Sequence, residues 1–179
     1  IVRWSMRQEA PANFDVFTRI EGNRGRVVVD AIDKDADVNA VVEAELERAC
    51  LVTPDAARCR VDAQARLWVF APEKIVESVI GNLLRNAVAY ADQGEVRVEI
   101  SQDHVTIEDT GPGMSTEDIG KIFKPFVRKQ RQRGGYGVGL TIVKRLTERF
   151  GWPLDIQSEP GHGTHVEIRF PDARSEPAA

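Results

Sequence analysis

Glu95-Val96-Arg97-Val98-Glu99-Ile100-Ser101 alternates charged and apolar residues, and Val105-Thr106-Ile107-Glu108-Asp109 repeats the alternation after a short polar break. A period of two is the mark of a half-buried strand. Asp103-His104 between the two runs is a tight connection, so they pair antiparallel. Upstream, Ala71-Pro72-Glu73 opens a long helix with Ile75, Val79, Ile80, Leu83, Leu84 and Ala87 on one stripe, and Pro72 suits a first turn. Asp92-Gln93-Gly94 closes it. Downstream, a glycine-rich stretch leads into a helix over Val138–Phe150, capped by Gly151. Leu154–Ser158 and His165–Phe170 read as strands joined by the turn Glu159-Pro160-Gly161-His162-Gly163. Two short strands, Arg58–Ala63 and Leu67–Phe70, precede the long helix. Before them lies a helix over Asp37–Ala49 with Val38, Val41, Val42, Leu46 and Ala49 at three- and four-residue spacing. Strands and helices alternate irregularly and the strands neighbour antiparallel. That pattern predicts a two-layer α/β sandwich, a mixed, mostly antiparallel sheet with helices on one face, rather than a doubly wound parallel sheet.

Residues 1–36 form an appendage in this reading. Ile1–Arg7 reads as the end of a helix stopped by Pro11, and Phe14–Ile20 and Arg26–Ile32 as a hairpin around Glu21-Gly22-Asn23-Arg24-Gly25. Residues 37–171 are the main domain, and 172–179 a polar tail expected to fray. At 179 residues, with 42% hydrophobic and 29% charged residues, the chain suits one soluble globular domain. A formal net charge of -4 is a poor footprint for a nucleic-acid binder. Two cysteines, Cys50 and Cys59, make neither a disulfide framework nor a four-thiolate zinc site. The apolar runs fall short of the ~18 residues that span a bilayer. No signal peptide is visible, and a start at Ile1 without Met reads as a piece of something longer.

Four segments carry chemistry. Asn82 and Asn86 sit four apart on the long helix, where two amide oxygens can meet one hydrated cation; magnesium takes oxygen ligands and keeps waters, so one amide plus ligand phosphates suffices. A solvated polar stripe is the plainer alternative. Asp109-Thr110-Gly111-Pro112-Gly113-Met114 places a carboxylate at a strand end before glycines, either an ordinary turn or a site for an amino-bearing heterocycle. Gly134-Gly135-Tyr136-Gly137-Val138-Gly139-Leu140 opens a helix, where amides and the helix dipole favour an anion. It lacks the Lys-Ser or Lys-Thr of a P-loop and does not follow a strand as the dinucleotide fingerprint does. Gly161-His162-Gly163-Thr164 is a turn into a strand.

In this order, the four resemble the nucleotide-binding boxes of the catalytic, ATP-binding domain of sensor histidine kinases. That domain has the Bergerat fold shared with DNA gyrase, Hsp90 and MutL. The N box matches Asn82 and Asn86, and the first glycine box matches Asp109, Gly111 and Gly113. Ile122-Phe123-Lys124-Pro125-Phe126 looks like the F box. Gly135, Gly137 and Gly139 look like the second glycine box, and Gly161, Gly163 and Thr164 like the last. The resemblance covers roughly Asp37–Phe170.

It implies that Asn86 ligates magnesium, that Asn82 supports the phosphates or the metal shell, and that Tyr90 packs beside adenine. Asp109 would accept from the adenine amino group, with Thr164 supporting the carboxylate through water. Gly137, Gly139 and Leu140 would border the phosphates. Phe126–Gly135 would be the ATP lid, whose Arg128, Lys129, Arg131 and Arg133 neutralise phosphate or simply solvate a loop. Ala89 stands where family members often carry a basic residue, and Tyr136 where a small polar one is frequent.

A histidine kinase also needs a histidine acceptor followed by an acidic residue on a helix. His104, His162 and His165 precede Val105, Gly163 and Val166 and lie in strand or turn regions. The implied partners are therefore a histidine-bearing dimerisation domain of the same parent protein, of which residues 1–36 would hold a remnant, and a response regulator. The implied location is a cytoplasmic domain with no direct membrane contact, in a parent that can be membrane-anchored. No residue here is read as nucleophile or base. Three alternatives stand beside this one: a gyrase/Hsp90/MutL-like ATPase, a protein-serine kinase of the anti-sigma-factor type, and a degenerate kinase that only binds a partner. The ATPases place a water-activating Glu where this chain has Asn82.

Overall fold

The hairpin read at Glu95–Asp109 lies inside a six-stranded sheet. The computed structural model describes residues 2–6, 35–52, 58–91, 94–123 and 139–178. In chain order these form β1 (Val2–Met6), β2 (Ala36–Asp37), α1 (Val38–Val52), β3 (Arg58–Ala63), β4 (Ala65–Val69) and α2 (Glu73–Ala91). There follow β5 (Glu95–Ile100), β6 (His104–Asp109), α3 (Thr116–Ile119), α4 (Gly139–Phe150), β7 (Leu154–Ser158), β8 (Thr164–Arg169) and β9 (Arg174–Pro177). The large sheet runs β1-β7-β8-β6-β5-β3, antiparallel throughout except for the β3–β5 pair. Val98 faces Ile107 across the hairpin, and Asp109 faces Thr164 at its other flank.

Alternation decides the buried face. Val96, Val98, Ile100, Val105, Ile107, Leu154, Ile156 and Ile168 are buried, while Arg97, Thr106, Glu108 and Glu167 point away. The buried stripe of α2, from Val76 through Leu84 to Ala91, packs on β5 and β6 and against both α1 and α4. This is the expected sandwich. Asp37 Oδ1 accepts the Ala40 N–H at 3.1 Å and caps α1. The Pro72 carbonyl receives the first helical bonds of α2. At the end of α4, Gly151 N–H reaches Glu148 O and Trp152 N–H reaches Thr147 O, the doubled closure expected at that glycine.

A second, three-stranded sheet, β2-β4-β9, was not expected. The strands read at Arg58–Ala63 and Leu67–Phe70 belong to different sheets. The chain changes sheet at Gln64, whose N–H donates to Ile100 O while its carbonyl accepts from Ala178 N.

Both chain ends differ from expectation. Ile1–Arg7 is not a helix end: Val2–Met6 is a strand paired with β7, from Val2 opposite Ser158 to Met6 opposite Leu154. A five-residue run cannot sustain a helix without packing, whereas the edge of β7 offers a full ladder of partners. The tail 172–179 does not fray as expected: Arg174–Pro177 pairs with β4, and the Arg174 guanidinium lies 5.1 Å over the Trp68 ring. Backbone pairing does not require apolar side chains, so a polar composition concealed this strand. The hairpin read at Phe14–Ile32 lies outside the described residues.

Candidate functional site

Asp109 is the last residue of β6 and Thr164 the first of β8, and the register sets them side by side. Asp109 stands on the same face as Val105 and Ile107, so its carboxylate turns to the helical side. Its Oδ1 accepts the Gly111 N–H at 2.8 Å. Burial pushes this carboxyl up to about 6, and the Gly111 N–H with the Thr164 N–H and hydroxyl pull against that rise. The result is a half-buried acceptor held from one side by internal donors.

Backbone geometry makes this turn specific to glycine at two places. Gly163 has φ +82 and a Cβ there would lie 1.8 Å from Asp109 O; Gly113 has φ +64 and a Cβ would lie 2.0 Å from Glu159 O. Any side chain would separate the two turns. The residue that ties them is Ser158, buried at the end of β7. Its Oγ accepts the Met114 N–H at 2.9 Å, donates to Gly163 O at 2.7 Å and lies 3.1 Å from Thr164 Oγ1. Sequence reading missed Ser158; alternation from Leu154 and Ile156 places it inward, and an inward serine is the signal that was there to use.

The long helix brings its amides to the same region. Asn82 Nδ2 donates to Ser78 O at 2.6 Å, which leaves Oδ1 turned towards Gly139: a Cβ at Gly139 would lie 2.7 Å from it. The start of α4, with Gly139 and Leu140, therefore meets α2 at Asn82. Asn86 is half-buried one turn on, and Tyr90 a further turn on is 56% exposed. Gly111 closes the ring, since a Cβ there would stand 2.4 Å from Tyr90 O. Asn82, Asn86, Tyr90, Asp109, Gly111, Gly113, Gly139, Leu140 and Thr164 thus border one region between α2, α4 and the ends of β6 and β8. Of the F-box segment, Ile122 and Phe123 pack against the core, Phe123 O accepts from Thr141 Oγ1 at 3.1 Å, and Lys144 Nζ lies 5.7 Å from the Phe123 ring centre. Lys124-Pro125-Phe126, Gly135, Tyr136, Gly137 and the cations Arg128, Lys129, Arg131 and Arg133 lie outside the described residues.

The histidines lie elsewhere. His104 and His165 share the sheet face opposite Asp109, with Nδ1 at 2.7 Å from Asp103 Oδ1 and 2.9 Å from Glu108 Oε1 respectively. His162 is exposed in the turn before β8. Among the described residues, no group of three or more His, Cys, Asp or Glu could hold a metal ion. A cation at this site would rest on amide oxygen and on the ligand's own phosphates. No helix among the described residues is long and apolar enough to cross a membrane.

Known proteins resemble this chain over the segment that holds these residues. The family model for histidine kinase-, DNA gyrase B-, and HSP90-like ATPase matches residues 71–174. The autoinducer 2 sensor kinase/phosphatase LuxQ of Vibrio cholerae is 37% identical over 108 residues, 54% of this chain and 13% of that protein. The sensor-like histidine kinase SenX3 of Mycobacterium tuberculosis is 29% identical over 148 residues, 76% of this chain and 36% of that protein. The chain thus spans well under half the length of these relatives. Among solved structures, the mycobacterial sensor histidine kinase MprB superposes with a TM-score of 0.66 at 24% identity, covering 81% of this chain and 99% of that one. With its matched segment running from the turn before α2 to the first residue of β9, through every described part of the site, the chain belongs to the histidine kinase-, DNA gyrase B- and HSP90-like ATPase family.

Proposed function

We propose that this chain is the ATP-binding catalytic part of a two-component sensor histidine kinase, which holds magnesium ATP and presents its γ-phosphate to a histidine on a separate dimerisation domain. The observation that carries the reading is the half-buried Asp109 carboxylate at the end of β6, with donors on one side and α2 on the other. Asp109 accepts the adenine amino proton; guanine carries a carbonyl at that ring position and would meet it with repulsion. Thr164 steadies the carboxylate, and Tyr90 packs beside the base. Gly139 and Leu140 open α4 towards the phosphates, joined in this reading by Gly135 and Gly137. Asn86 is the metal ligand of this chain, and Asn82 supports the phosphate side. Magnesium, when bound, supplies charge neutralisation on the phosphates.

Phosphoryl transfer asks for positioning and charge neutralisation more than for a base on the nucleotide side. Asn82 supports a kinase over a hydrolase. Its amide nitrogen is committed to Ser78 O, and an amide cannot take a proton from water at neutral pH. Arg128, Lys129, Arg131 and Arg133 neutralise the γ-phosphate in this proposal. A response regulator then takes the phosphoryl group from the partner histidine, on the cytoplasmic side of a parent that can be membrane-anchored.

The test is incubation of the chain with labelled ATP and magnesium, with and without a separate histidine-bearing dimerisation domain of the same parent. The expected result is acid-labile label on that domain alone, with slow ATP loss in its absence. Acid-labile label on His104, His162 or His165, or fast turnover without a partner, overturns it.

A further inference from the structure

The last turn of α1 and the outermost strand of the large sheet each carry a cysteine, and the two sulfurs meet. Cys50 Sγ lies 3.3 Å from Cys59 Sγ, nine residues on in sequence. Neither is in a disulfide, and both are partly buried against the core. The contact is held by the fold rather than by chance approach of loops. Cys59 pairs in register with the buried Val96, so its side chain faces the helical layer, where α1 lies on α2. Along the same face of β3, Val61 is already 39% exposed, and Leu51 beside Cys50 is 82% exposed. The cysteine pair is therefore where the end of α1 meets the strand at the sheet's edge.

We propose that Cys50 and Cys59 are a dithiol–disulfide pair, a covalent modification site that closes by exchange with a low-molecular-weight disulfide and clips α1 to β3. A disulfide needs an S–S distance of about 2.05 Å, so the sulfurs must approach by only about 1.2 Å. The exchange balances as one dithiol plus one external disulfide giving one internal disulfide plus two external thiols. Burial and the adjacent Cys50 sulfur push the Cys59 thiol up to about 12, so Cys59 keeps its proton and the first attack falls to Cys50. Cys50 sulfur bonds to one half of the external disulfide and expels the other half as a thiolate. Cys59 sulfur then attacks Cys50 sulfur, gives its proton to solvent, and releases the second half. The second step is intramolecular across a short, pre-docked span, so it outruns capture of another external molecule.

The test equilibrates the whole chain, folded and free of nucleotide, in buffers of glutathione and glutathione disulfide, followed by acid quench, alkylation and intact-mass measurement. The expected product has lost two hydrogens, carries no glutathione, takes up no alkylating agent, and yields a linked Cys50–Cys59 peptide. Half-oxidation is expected where [GSH]²/[GSSG] is about one millimolar or above, the effective concentration of a short tether. Cys50→Ser and Cys59→Ser, checked for native circular dichroism, should each accept one glutathione at most. Two glutathione adducts on the parent chain, a disulfide-linked dimer, or half-oxidation only below that ratio overturns the proposal. Cys59, Val96, Asp109 and Thr164 lie in one row across the sheet, and because nucleotide is absent from every arm none of these readouts depends on the nucleotide reading.

Discussion

Replacing Asp109 by Asn keeps the size and shape of the side chain and changes only what it can accept. A carboxylate offers about four acceptor positions. One is met by the Gly111 N–H at 2.8 Å, and the nearby Thr164 N–H and hydroxyl favour the charged carboxylate. Acceptor capacity is left for the adenine amino group of the proposed ligand. An amide oxygen offers about two acceptor positions and its nitrogen brings two donors of its own. In the variant the amide nitrogen turns its donors either towards the internal N–H groups or towards the base, and the acceptor left for the base carries no charge. Loss of one charge-assisted hydrogen bond costs about 1.5–3 kcal/mol, so the dissociation constant for ATP should rise about tenfold to hundredfold. Calorimetric titration with a non-hydrolysed ATP analogue, at a pH well above 6, reads this directly. Stability gives a second reading. The folded carboxyl is raised to about 6 from 3.8, so its favourable contribution is complete below about pH 4 and is lost as pH rises through 6. Without nucleotide, the parent should gain melting temperature over Asp109→Asn as pH falls from 7 to 4. Equal ATP affinity in the two proteins, or a stability difference that stays flat over that interval, refutes the reasoning.

Asn86→Ala should make nucleotide affinity nearly insensitive to magnesium, measured by titration with and without the ion, while adenosine binding stays unchanged. Ser158→Ala strands the Met114 N–H and the Gly163 carbonyl in a buried place; at about 1–3 kcal/mol for such a group, the melting temperature should drop by about 5 °C and ATP affinity should fall with it. Ending the chain at Ala173 removes β9 from β4 and the Arg174 guanidinium from Trp68, and should lower the urea midpoint by the equivalent of about 1–2 kcal/mol. An unchanged midpoint would return the tail to the frayed state read from its composition.

Much of the fold was legible because periodicity reports burial. The alternation in Glu95–Asp109 and the stripe of α2 gave the sheet, its buried face and the helix that covers it. The turns beside the candidate site were legible where glycines are forced by close approach, as at Gly113 and Gly163. What stayed hidden depends on partners far away in sequence. Val2–Met6 is a strand because β7 has an open edge, and Arg174–Pro177 because β4 has one; neither segment says so by itself. Gln64 moves the chain between sheets with no turn signature. Ser158 looks like any strand serine until Met114 and Gly163 are brought to it from 44 residues before and five residues after.

The most direct measurement is a nitrogen–proton spectrum of the isotope-labelled chain titrated with ATP and with GTP, both with magnesium. ATP should shift the amides of Gly111, Thr164, Asn86 and Leu140 together, and should bind at least about tenfold tighter than GTP, the worth of one hydrogen bond to a charged acceptor. Equal affinity for the two nucleotides, or shifts centred away from the ends of β6 and β8, would contradict the assignment of Asp109 as the adenine acceptor.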